Sequence, residues 1–266
     1  MTPKREIAAT RNNTGPNASR QTPVSAQTAA AVVSRLAALR PARQSPENVV
    51  VDQPMNALQK WTLSLAGTAI AAGISYQWLD RPIALFFHHT VARPQTFATL
   101  TYAPDPMVPL AVTVFIVLGL MNLSGRALSR LQTCALLCSL SLIVAELTKI
   151  QLKLAFGRTW PDTFRDNNPS FLHDGVYGFN FFHGGHAYAS FPSGHTAVTC
   201  AVISVLWVYY PAWRWLYVLA VFAVAIGLIG ANYHFVSDVI AGGFVGISSG
   251  WMLTSLWKAH EHVRKT

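Results

Sequence analysis

The chain has 266 residues, of which 52% are apolar and only 12% charged, with a net charge of +9 and three cysteines. Its apolar residues gather into runs too long for the helices of a soluble core, which favours an integral membrane protein over two small soluble domains. The basic residues flank those runs or lie near the N-terminus, as membrane topology requires, so the positive charge does not imply a nucleic-acid partner. Cys134, Cys138 and Cys200 fall inside apolar runs, where a thiol behaves as a small hydrophobe and says nothing about redox compartment.

In chain order, residues 1–55 form a polar, basic tail, rich in Ser, Thr, Asn, Ala and Pro, with seven basic residues between Lys4 and Arg43. It has no apolar core of a signal peptide and reads as an uncleaved, mostly disordered tail. Ala29 to Leu39 has helical spacing beside Arg35 and Arg40, open to a surface helix on an anionic membrane or to a fluctuating segment. Residues 56–260 then form the membrane domain, an all-α, six-span transmembrane helical bundle. The spans are expected near Trp61–Leu79, Met107–Leu123, Leu131–Ala155, Ser193–Tyr210, Trp215–Ala231 and Val239–Trp257. Ile83 to Val91 is apolar but too short to cross, and is expected to lie at the interface or re-enter partway.

Loop charge orients this bundle. Arg126 and Arg130, the Pro211–Arg214 turn, and Lys258, Arg264 and Lys265 fall on one side together with the tail, which should therefore be cytoplasmic. The opposite face receives the Asp80–Pro106 loop, the long Gly157–Phe191 loop and the tight Asn232–Asp238 turn. In a bacterium that would set the protein in the inner membrane with this face periplasmic.

Three stretches meet on the outer face. In Phe191-Pro192-Ser193-Gly194-His195, Ser193 is suited to cap the following apolar helix, whose first amides could hold an anion. Lys153 and Arg158 bracket the end of the third span and could neutralise a phosphoryl group. His234 and Asp238 are four apart, on one face if the sixth helix begins early, and a carboxylate beside an imidazole fixes its tautomer and supports its positive charge. These parts suit phosphoryl transfer: His234 attacks phosphorus in line, His195 protonates the leaving oxygen, and water hydrolyses the phosphohistidine, with no metal or other cofactor required. His183-Gly-Gly-His186 lacks a further ligand at metal spacing and reads as an ordered loop. Glu146 and Lys149 could pair across one turn and support Lys153 from the turn below.

These residues resemble the type-2 phosphatidic acid phosphatase superfamily of membrane lipid phosphatases, whose relatives include glucose-6-phosphatase and vanadium haloperoxidases. The family's signatures are Lys-x6-Arg-Pro, Pro-Ser-Gly-His and Ser-Arg-x5-His-x3-Asp. Lys153 with Pro161, Pro192-Ser193-Gly194-His195, and His234 with Asp238 stand at the matching places, and the resemblance extends from Trp61 to Trp257. It implies that Lys153, Ser193 and Gly194 bind phosphate, that His195 is the acid, and that His234 is the nucleophile oriented by Asp238. Two positions depart from the pattern: Trp160 replaces the arginine of the first signature, and Gly227-Leu228 the Ser-Arg of the third. Each missing cation is worth about 1.5–3 kcal/mol of charge-assisted hydrogen bonding. Arg158 is expected to carry more of the phosphate charge in compensation. The substrate implied is a lipid phosphate or isoprenyl diphosphate among membrane lipids. The alternatives are a small soluble phosphoester, or a headgroup-binding protein that the two lost arginines leave without turnover.

Overall fold

The computed structural model describes residues 55–91, 95–164 and 167–265. All of the expected tail but Met55, including Ala29 to Leu39, lies outside the described residues. Among these, the secondary structure is helical, apart from isolated bridge pairs in the loop after Phe156.

Seven main helices follow one another. They are α1 (Ala57–Ile74), α2 (Asp80–Thr90), α3 (Met107–Leu123), α4 (Arg130–Phe156), α5 (Gly194–Tyr209), α6 (Arg214–Gly230) and α7 (Val236–Lys265). Local chemistry fixes several of the ends. Asn56 with Gln59, and Ser129 with Gln132, form reciprocal capping boxes at the starts of α1 and α4. Gly157 closes α4 in the left-handed conformation, φ +54°, and a β-carbon there would meet the Asn180 carbonyl oxygen at 1.8 Å. Ser193 caps α5 as its residue type predicts, its Oγ accepting from the Thr196 amide.

A helix stands at each of the six expected spans. Three segments are long and apolar enough to cross a membrane, Arg130–Phe156, Pro211–Gly230 and Val236–Val263, while Met107–Leu123 and Gly194–Tyr209 are apolar but shorter. The chain is an integral membrane protein. Ile83 to Val91, expected at the interface or re-entering partway, lies largely in α2, which continues from α1 through a π-helical turn, Ser75–Leu79.

The centre of the bundle is α7 against α5, with α4 packed on both. Their approach is set by Gly242, Gly246 and Gly250, one per turn along α7. A β-carbon at these positions would come within 2.4 Å of Ser193 O, 2.2 Å of Ala197 O and 1.8 Å of Ser204 Oγ. Between helices in lipid the driving force is close van der Waals contact, and small residues at this spacing allow it. Ala145, Ala197, Ala201 and Val245 fill the seam. Because the Ser193 amide also donates to the Asp238 carbonyl oxygen at 3.0 Å, the beginnings of α5 and α7 are joined directly. Outward-facing Leu110, Ile116 and Leu120 on α3 and Trp215, Leu219 and Phe222 on α6 give the bundle an apolar exterior suited to lipid.

Candidate active site

His234 lies in the turn between α6 and α7, which the Leu228 carbonyl ties down by accepting from the Tyr233 and His234 amides at 2.9 and 3.3 Å. The helix α7 does not begin early enough to include His234. It starts at Val236, and the histidine meets its carboxylate by another route. Asp238 occupies the third position of α7 and reaches back, its Oδ2 accepting from the Phe235 amide at 3.0 Å in half of a capping box. The same oxygen lies 3.4 Å from His234 Nδ1 and accepts from Ser190 Oγ at 2.7 Å. Both His234 and Asp238 are buried. Burial pushes the His234 imidazole down to about 4, against the upward pull of Asp238, and positive charge on Lys153 or His195 adds to the lowering.

Behind Asp238 lies a feature that sequence reasoning missed. Arg158 Nη1 donates to Asp238 Oδ1 at 2.5 Å, and its Nη2 to Asp80 Oδ2 at 2.7 Å, with all three side chains 0% exposed. Asp80 begins α2 and also accepts from the Ser237 amide at 3.0 Å, from Ser237 Oγ, and from the Tyr177 hydroxyl at 3.3 Å. The guanidinium is enclosed by rings, with Phe235 at 4.3 Å and Tyr76, Tyr177 and Phe179 slightly farther. Burial alone would lower Arg158, but Asp238 and Asp80 together hold it above its ordinary range, permanently charged. Where phosphate binding was expected of Arg158, the structure has its two terminal nitrogens on protein carboxylates, the whole side chain buried, and Nε without a hydrogen-bond partner among the described residues. Arg158 fixes the carboxylate that fixes His234.

Lys153 and Trp160 flank the histidine. The Lys153 ammonium donates to the Ala189 carbonyl and stands 5.3 Å from the centre of the Trp160 ring. That ring is 5.1 Å from the His234 ring, stacks on His186 and donates from Nε1 to the His186 carbonyl at 2.8 Å. Trp160 is thus an anchored wall where the resembling signature has an arginine. Leu228, at the other departure, is packed with Val224 and Val239, and its neighbour Gly227 has no room for a side chain, with Leu100 Cβ and Phe97 O both 2.8 Å from a notional β-carbon.

Ser193, Gly194 and His195 stand at the start of α5. The Ser193 side chain is buried and used in the cap, and the Gly194 and His195 amides are in the first turn, where a helix has no internal acceptors for them. His195 Nε2 lies 3.0 Å from Asp105 Oδ1, a pairing across 90 residues that no local pattern in the sequence announces. His195, Asp105, Gly194 and Lys149 line a cleft of about 150 Å³. His183 and His186 sit in the 180–190 loop, His183 Nδ1 against the Gly184 carbonyl and His186 under Trp160. Among the described residues, no cluster of metal-ligating side chains occurs.

Known proteins resemble this chain in sequence and in fold. A model described as the PAP2 superfamily matches residues 134–261, which include Lys153, Arg158, Ser193, Gly194, His195, His234 and Asp238 but not Asp80 or Asp105. Two proteins named lipid A 1-phosphatase are similar in sequence. The one from Rhizobium etli is 33% identical over 40% of this chain and 42% of its own length. The one from Rhizobium johnstonii is 33% identical over 34% of each chain. The matched stretch thus spans less than half the length of either relative. The solved transmembrane PAP2 type phosphatidylglycerolphosphate phosphatase of Bacillus subtilis shares the fold, with a TM-score of 0.51 at 18% identity over 75% of this chain and 96% of that one. Over the matched residues the chain is thus similar to the PAP2 superfamily, and over most of its length it shares the fold of that solved phosphatase.

Proposed function

We propose that this protein is a membrane phosphatase that hydrolyses a lipid phosphate through a phosphohistidine on His234. The observation that carries this reading is the buried, neutral His234 held against Asp238 by a carboxylate–guanidinium–carboxylate network, beside a lysine and the free end of a helix. A histidine neutral at physiological pH has an electron pair to offer phosphorus. The 3.4 Å separation from Asp238 is long for a hydrogen bond and should tighten as the ring gains charge on attack. Lys153 and the Gly194 and His195 amides stabilise charge on the equatorial oxygens. His195 then gives its Nε2 proton to the leaving oxygen, which replaces Asp105 as that nitrogen's partner. Water attacks the phosphohistidine, His195 takes up its proton, and inorganic phosphate leaves.

The two relatives named lipid A 1-phosphatase and the lipid-facing exterior favour a phosphorylated lipid headgroup over a small soluble phosphoester. Isoprenyl diphosphate uses the same chemistry and is the second substrate class. The test is phosphate release by detergent-purified protein from a panel of lipid phosphates, isoprenyl diphosphate and soluble phosphoesters. Release from soluble esters alone would reverse the assignment, and release from none would favour a headgroup-binding protein.

Asp105 supports the acid. Asp105→Asn should slow substrates with poor leaving groups more than those with good ones, following His195→Ala in pattern but less severely. Equal slowing of both classes would remove Asp105 from the proton-transfer step.

Six crossings are consistent with the charge pattern, with both ends of the described bundle cytoplasmic and the site periplasmic in the inner membrane of a bacterium. A cysteine introduced in the 157–191 loop should react with an impermeant thiol reagent in intact cells. Labelling only after the membrane is opened would invert the orientation.

A further inference from the structure

Lys149 lies one turn below Lys153 on α4, so the two ammonium groups share a face of the helix. Lys153 reaches the 189 carbonyl, whereas Lys149 reaches the start of α5. A β-carbon on Gly194 would come within 2.8 Å of Lys149 Nζ, so the bare glycine is what admits the ammonium there. Lys149 also lines the cleft of His195 and Asp105.

This placement is electrostatically uncomfortable in the absence of an anion. The N-terminal end of α5 carries the positive end of its dipole and unpartnered amides, and a cation beside it is opposed. The counter-charge is Glu146, 2.8 Å from Lys149 on the same helix. Only one of its oxygens is engaged, and the other is buried without a hydrogen-bond partner among the described residues. Two positive features therefore converge on one cleft behind a half-satisfied carboxylate, and ionisable groups inside a membrane bundle are seldom placed without a use. The cations expected at positions 160 and 228 are absent, and Arg158 is committed to Asp80 and Asp238.

We propose that Lys149 is a phosphate-contacting residue of this site, holding the phosphoryl group on the His195 side together with the Gly194 and His195 amides, and so replacing part of the charge lost at Trp160 and Leu228. The proposal rests on the phosphatase reading above. An ammonium has three donors, and one bond to Glu146 leaves two for a phosphoryl oxygen.

The test uses full-length protein in detergent, with vanadate as the probe of phosphoryl binding. Lys149→Met and Lys149→Gln should lower kcat/KM about tenfold to a hundredfold and weaken vanadate inhibition by a similar factor. Lys149→Arg should retain most of both. Glu146→Gln frees the ammonium and should leave vanadate inhibition unchanged or tighter. A purely structural pair gives another pattern, in which Lys149 and Glu146 variants share a lowered thermal midpoint while the folded fraction keeps wild-type vanadate inhibition; that result overturns the proposal, as does weakened inhibition in Glu146→Gln. Should Lys149→Met fail to fold, Lys149→Gln and Glu146→Gln decide by the same criteria. Wild-type protein that neither releases phosphate nor responds to vanadate overturns the phosphatase reading itself, a result distinct from normal inhibition in the Lys149 variants.

Discussion

Arg158→Met is expected to cost the fold about 3–5 kcal/mol, the penalty for removing one partner from a buried ion pair and leaving charge uncompensated. The effect should lie at the upper end, because two carboxylates, Asp80 and Asp238, lose their common partner, and neither is exposed. Arg158→Lys should also be costly. A guanidinium spans the two carboxylates with separate nitrogens in one plane, and its flat face lies 4.3 Å from the Phe235 ring; an ammonium offers one point charge to a cavity shaped for a fork. Arg126→Lys, at an exposed loop position, should be silent. The measurement is thermal or denaturant unfolding of the detergent-solubilised protein, with the Asp80→Asn Arg158→Met double variant as a cycle. Partial recovery in the double variant is expected, since one orphaned charge is removed with the arginine. An Arg158→Met protein with wild-type stability and impaired vanadate binding would return Arg158 to the phosphate site.

What the sequence announced was local. Ser193 before an apolar run marks a helix start by residue type alone, and His234 with Asp238 is legible from a spacing of four, even though the helix begins at Val236 and the contact is made by the carboxylate reaching back to the Phe235 amide. The long helices are legible because hydropathy integrates over many residues. The partners that matter most were silent because they are distant in sequence: Asp80 is 78 residues from Arg158 and 157 from Ser237, and sits where an apolar stretch drew attention to its neighbours. Asp105 is hidden in the same way behind a Pro-rich loop, 90 residues from His195. Arg158 shows a different limit. Its place near a phosphate-binding signature suggested a substrate contact, while only three-dimensional packing reveals that the side chain turns inward. The spacing of Gly242, Gly246 and Gly250 gains its meaning only from the fold, which brings α5 against these positions.

His234→Ala is expected to abolish turnover and the acid-labile phosphoenzyme while leaving the protein folded, because the network that holds Asp238 runs through Arg158, Ser190 and the Phe235 amide rather than through the imidazole. Asp238→Asn should lower the rate strongly, since it removes the charge that supports a positive ring and loosens Arg158 as well. The pH dependence follows from burial. The imidazole is pushed down to about 4 in the folded protein, whereas an unfolded chain would titrate near 6.5. The nucleophile therefore stays unprotonated through the neutral and mildly acidic range, and the acidic limb of kcat/KM set by His234 should fall near pH 4 rather than near 6.5. Stability carries the corresponding sign. Above about 6.5 neither state is protonated at His234 and no penalty arises; as pH falls from about 6.5 to about 4 the unfolded chain takes up a proton that the folded site refuses, so stability declines across that window. A pH–rate profile of the wild-type protein, and a pH series of its unfolding midpoints compared with those of a His234→Gln protein, separate the two effects. Full activity in His234→Ala, or an acidic limb in wild type that is unmoved by removing Asp238, would place the nucleophile elsewhere.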